Sequence, residues 1–62
     1  MKTFIELLQV LEFGQLWHSE YHFVRMNKLG GIIITDKKNV SMSRTIVHNF
    51  ERFELYVEDE FE

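Results

Sequence analysis

The chain has 62 residues, 45% of them hydrophobic and 15% aromatic, with a net charge of −3 and neither cysteine, proline nor alanine. One domain spanning 1–62 is expected, and a chain so short hides only about 60% of the surface its unfolded form exposes, so stability is marginal and disulfides, thiol redox chemistry and cysteine-based zinc sites are excluded as remedies. Hydrophobicity is too high for wholesale disorder, no apolar run reaches the roughly 18 residues of a membrane span, and Glu6 and Glu12 interrupt the apolar start with no small-residue cleavage site after it, so a cytoplasmic protein is expected.

Residues 3 to 13 read as a helix. Thr3 and Glu6 match a capping box, in which hydroxyl and carboxylate each satisfy an unpaired backbone donor. Phe4, Leu7, Leu8 and Leu11 recur at helical spacing, Ile5 and Val10 widen the apolar face, and Gly14 is suited to the left-handed conformation that closes a helix. From 15 to 26, Trp17, Tyr21 and Val24 would also align on a helix, but the run of Trp, Tyr, Phe and Val after a glycine predicts a strand. As one continuous strand it carries Trp17, Tyr21 and Phe23 on one face. Leu16, His18, Glu20, His22, Val24 and Met26 take the other.

A turn is expected at NKLGG, where Gly30 and Gly31 relieve positive dihedrals. GIIIT over 31–35 predicts a short strand with apolar branches on both faces. DKKN is turn chemistry, VSMSRTIV over 40–47 reads as extended, and Phe53, Leu55 and Val57 alternate with polar neighbours to predict a strand over 52–58. The fold class is α+β: an N-terminal helix packed on a small antiparallel sheet of three to four strands, arranged as a meander. The competing arrangement makes 44–58 helical, giving α-β-β-α, because Ile46, Phe50, Phe53 and Val57 also sit at helical intervals.

The stretch WHSEYH raises the question of a metal site. His18, Glu20 and His22 would project from one strand face, with His48 a candidate third histidine. The spacing is not the H-E-x-x-H pattern of a metalloprotease, so the preferred reading is polar residues on the wetter side of a strand, with no metal and no cofactor. Ser19, Ser41, Ser43, Thr35 and Thr45 stand in no nucleophile elbow, and Gly30-Gly31 precedes a strand where a phosphate loop needs a helix. No enzyme and no small-molecule substrate are expected.

Charge is segregated, with residues 25–44 carrying a net +4 and residues 45–62 a net −5. A nucleic-acid reading uses Arg25, Lys28, Lys37, Lys38 and Arg44 on phosphates, with Trp17, Tyr21 or Phe23 stacking on bases. A pI near 5.5 argues against strong nonspecific attraction. The preferred reading is a small non-enzymatic interaction protein. A helix of about eleven residues is roughly 16 Å long and shelters one side of a sheet, leaving apolar residues on the other. A homodimer through Trp17, Tyr21, Phe23 and Ile33 would supply the missing cover. Equally, as a regulator or inhibitor, the chain would present Glu51, Glu54 and Glu58 to a basic protein partner, beside an acidic end of Asp59, Glu60 and Glu62.

Overall fold

Thr3 opens the chain's one helix among the described residues, α1 (Phe4–Val10). Its hydroxyl accepts the Glu6 N–H at 3.2 Å and the Glu6 carboxylate accepts the Thr3 N–H at 2.9 Å, completing the expected capping box. The computed structural model describes residues 1–39 and 46–57. A seven-residue helix is too short to persist alone, so packing must hold it. Leu7, fully buried, and Leu11 supply that packing.

The helix stops earlier than its apolar pattern predicts. Leu11 is the C-cap in extended conformation, which turns its side chain into the core. The Gln15 side-chain oxygen accepts both the Glu12 N–H at 3.0 Å and the Trp17 indole N–H at 2.9 Å, fixing the exit and satisfying a buried ring. Gly14 does adopt positive φ (97°), but in the turn that leads into the sheet rather than at the helix end.

Four antiparallel strands follow: β1 (Leu16–His18), β2 (His22–Met26), β3 (Ile32–Asp36) and β4 (Glu54–Leu55). The spatial order is β3-β2-β1-β4, so the last strand returns to lie beside the first, the order of a Greek key rather than the expected meander. The expected single strand over 15–26 is in fact a hairpin. Ser19 causes the break: its hydroxyl accepts the N–H groups of Tyr21 at 3.2 Å and His22 at 3.1 Å, while its own N–H donates to the His22 carbonyl. A serine that satisfies the next backbone donors offers the chain an alternative to the ladder.

That hairpin changes which residues share a face. Trp17 pairs with Val24, and Val24 with Ile34, so these three lie on the helix side; His18 pairs with Phe23, and Arg25 with Leu16 and Ile33, on the opposite side. The predicted grouping of Trp17 with Phe23 is therefore corrected, because a reversal between them flips the strand phase. Leu7, Leu11, Trp17, Val24 and Phe53 form the core, with Phe4, Met26, Ile34 and Val47 packed against it. The β2–β3 turn is built as expected. Gly30 has φ 88°, and the Asn27 side chain accepts the N–H groups of Leu29 and Gly31.

Phe53 anchors the C-terminal segment through its ring and its backbone. It exchanges two hydrogen bonds with Lys2, at 2.8 and 2.7 Å, which ties residue 2 to the chain just before β4. Over 46–57 the chain runs irregularly to a turn at 49–50 and then to β4, so the helical alternative does not form there. The predicted strand over 52–58 is realised as the short β4. Of the extended segment predicted over 40–47, residues 40–45 lie outside the described residues and 46–47 have no regular structure. No helix among the described residues is long and apolar enough to cross a membrane.

Candidate functional site

The most organised polar group in the molecule is buried. Ser19, His22 and Glu51 are 4%, 3% and 3% exposed. Glu51 Oε1 accepts the Ser19 hydroxyl at 2.5 Å and lies 2.7 Å from His22 Nδ1, while Oε2 accepts the His48 backbone N–H at 2.8 Å. The carboxylate, an acceptor only, thus draws together the β1–β2 hairpin and the segment that leads to Phe53. This explains why β4 returns to β1.

Serine, histidine and an acid also make up hydrolytic triads, but the wiring here differs. In a nucleophilic arrangement the serine proton goes to the imidazole, which a carboxylate orients from behind. Here the Ser19 proton goes to Glu51, and the two acceptor sites of its oxygen receive the N–H groups of Tyr21 and His22. The hydroxyl is saturated. Its geometry is that of a clamp.

Burial pushes the Glu51 carboxyl up, but the hydrogen bonds from Ser19, His22 and the His48 N–H outweigh it and hold the carboxyl below its usual value of 4.5. A depressed folded-state value contributes stability that is fully present above the unfolded value and is lost as pH falls through the folded one. Thermal stability is therefore expected to decline as pH drops below about 4.5. Glu51→Gln removes the titrating group, so melting curves across that range should show a flatter acid limb in the variant. Exposed Glu6, whose carboxyl is lowered by the Thr3 backbone N–H, is common to both proteins and cancels in the comparison.

The open face of the sheet, opposite α1, carries a second constellation. Lys37 places its ammonium 5.1 Å from the Phe23 ring centroid and 2.9 Å from His18 Nδ1. An ammonium only donates, so Nδ1 accepts and the ring proton sits on Nε2, 3.7 Å from the Glu54 carboxylate. Burial and then the Lys37 charge lower the His18 pKa, against the opposing pull of Glu54. Tyr56 meets the His18 and Phe23 rings edge-on, at 5.1 and 5.6 Å. Arg25 and Ile33 complete this face, exposed and half-buried respectively.

His18 and His22 consequently point to opposite sides of the sheet, and exposed Glu20 lies in the loop between them, so the convergence considered from WHSEYH does not form. Among the described residues no group of three or more His, Cys, Asp or Glu is placed to hold a metal ion. The His48 ring stacks on Phe50 instead, with centroids 5.0 Å apart and planes 4° from parallel, and Tyr21 stands edge-on to both.

Of the residues proposed for protein contact, Trp17 is in the core and Glu51 is the buried clamp, so neither offers a surface. The hairpin reversal puts Trp17 under α1, and the hydrogen bonds to Glu51 explain why a carboxylate tolerates burial. Tyr21 is exposed beside Phe50, Phe23 and Ile33 share the open face, and Glu54 is exposed at its edge. Of the basic residues, Arg25, Lys28 and Lys38 are exposed and Lys37 is half-buried. Glu58 and Arg44 lie outside the described residues.

Alternation could not reveal the exposed side of the C-terminal segment. Ile46 is 78% exposed, Phe50 63% and, across a groove lined by Thr3, Phe4, Ile5, Val47, His48 and Asn49, Ile5 is 70% exposed. Ile5 and His48 line this groove together, and His48 and Phe50 meet Tyr21, so that Ile5, Phe50 and Tyr21 are linked in one band. No protein-family model matches the chain, and comparisons with curated proteins and with solved structures give no match.

Proposed function

We propose that the protein is a small non-enzymatic interaction module of the cytoplasm that pairs with a second copy of itself through the band formed by Ile5, Phe50 and Tyr21. The observation that carries this reading is the contiguity of these exposed side chains in so small a molecule. Contiguous apolar surface beyond a few hundred Å² is uncommon on a soluble monomer, and the largest such patch is often an interaction site. A standard interface takes about 800 Å² from each partner, about a sixth of this chain's 4899 Å². A two-fold pairing uses the same patch twice and removes it from water on both copies.

The band also has the composition that binding surfaces favour, since aromatic anchors such as Phe50 and Tyr21 dominate association energies. In this reading the protein does no chemistry, and it regulates or inhibits another protein by covering part of its surface. Of Glu51 and Glu54, Glu54 at the sheet edge is the one accessible to a basic partner, since Glu51 is committed to the clamp.

Sedimentation of the wild type at micromolar concentration is expected to show a dimer. Phe50→Asp is expected to be monomeric, its dissociation constant at least about 30-fold higher, the size of a hot-spot loss of about 2 kcal/mol. Its fold should survive, because the ring is largely exposed. A wild type that stays monomeric at every concentration rules out the second copy and leaves a foreign protein as the occupant.

A further inference from the structure

The open face of the sheet is chemically unlike the apolar band, and we infer that it is a binding surface for a single-stranded nucleic acid. The inference is independent of the dimer and rests on what the β1–β2 and β2–β3 hairpins bring together.

Phe23, His18 and Tyr56 put three rings on that face. Arg25 lies in the next row, and Lys37 reaches over Phe23. The β2–β3 hairpin then extends the positive charge in both directions, with Lys28 in its turn and Lys38 just past the far end of β3. The side chains of Arg25, Lys28 and Lys38 have no hydrogen bond or ion pair with a described residue. Five residues of β3 span about 16 Å, so the cations form a track along one strand rather than a point, long enough for the roughly four nucleotides at the low end of single-strand sites.

Acids border this side as well as cations. Exposed Glu20, in the β1–β2 loop, lines grooves with Lys37 and Lys38, and Asp36, which pairs with His22 on the other face, accepts the Lys38 backbone N–H at 2.7 Å, so that Glu54, which faces His18, is the carboxylate among the open-face strand positions. The net charge of −3 therefore weakens long-range attraction without cancelling the local track. Single strands fit better than duplexes because the face is a sheet with rings, and stacking needs unpaired bases. Lys37 occupies the place over Phe23 that a base would take. A base that stacks there displaces the half-buried Lys37, which gives up its 2.9 Å hydrogen bond to His18 Nδ1 and makes its charge available to phosphate.

The test is fluorescence anisotropy of labelled oligo(dT) and oligo(U) with the full chain at low and moderate salt, the two probes distinguishing DNA from RNA. Binding at low salt is expected, with log K falling against log salt at a slope of about −2 to −3 for three to four phosphate contacts. Phe23→Leu, which keeps apolar bulk but removes the ring, should weaken binding about tenfold or more. Arg25→Gln, at an exposed position, should reduce the slope by about 0.7. Circular dichroism confirms that both variants are folded. The inference is overturned by absence of binding at low salt, or by equal binding of polyglutamate with no effect of Phe23→Leu. It is also overturned if these variants alter the sedimenting mass, which would place a second copy on this face. None of these results touches the Phe50 band, so the two readings fail separately.

Discussion

Glu51→Ala is expected to leave the protein largely unfolded at room temperature. The substitution removes the acceptor for three donors at once: the Ser19 hydroxyl, the His22 ring N–H and the His48 backbone N–H. Stranding a buried polar group costs about 1–3 kcal/mol, and here three donors lose their acceptor together. At about 0.05–0.15 kcal/mol per residue, a chain of this size has about 3–9 kcal/mol in total. The loss is comparable with the whole stability. Urea denaturation followed by circular dichroism measures it. Ser19→Ala should cost less, because Glu51 keeps its other two donors. An unchanged midpoint in Glu51→Ala would show that the clamp does not hold the C-terminal segment.

Phe53→Ala is expected to cost about 3–5 kcal/mol, the usual range for emptying a buried aromatic site. Phe53 is 0% exposed and its ring lies 5.8 Å from that of Phe4, so the cavity would open where α1, β4 and the N-terminal segment meet. The backbone exchange with Lys2 cannot close it, since those bonds fix the chain's path but fill no volume. The comparison with Phe50 is decisive for the fold. A helix over 44–58 would bury both rings on one stripe and make their truncations similar. In the observed arrangement Phe53→Ala destabilises strongly, whereas Phe50→Ala changes association and moves the thermal midpoint little at concentrations where the wild type is monomeric.

Much of the first half of the fold is written locally. Thr3 and Glu6 announce the helix start because both capping bonds are made within four residues. The Asn27–Gly31 turn is legible for the same reason, since Asn27 and Gly30 act within the loop they form. Ser19 is the instructive failure. Its signal for a turn is a single hydroxyl within a run of aromatic residues that favours strand, and an unbroken strand through it puts Trp17 on an outer face instead of in the core. Glu51 was illegible for a different reason. Its partners Ser19 and His22 are 32 and 29 residues away, and no periodicity reports a contact of that kind.

The open sheet face is legible in outline, because one short helix shelters one side, and Phe23 and Ile33 do lie on the side it leaves bare. What the alternation did not contain is the apolar band around Phe50. It is assembled from the helix start, the β1–β2 loop and an irregular segment, three pieces that share no repeat.

Nitrogen-15 chemical shifts of the wild type followed through a dilution series test the proposed pairing most directly, because they report both whether copies meet and where. Concentration-dependent shifts are expected at Ile5, Tyr21 and Phe50, with Phe23, Arg25 and Ile33 unmoved. Spectra that do not change on dilution, or changes confined to the open sheet face, would contradict the pairing.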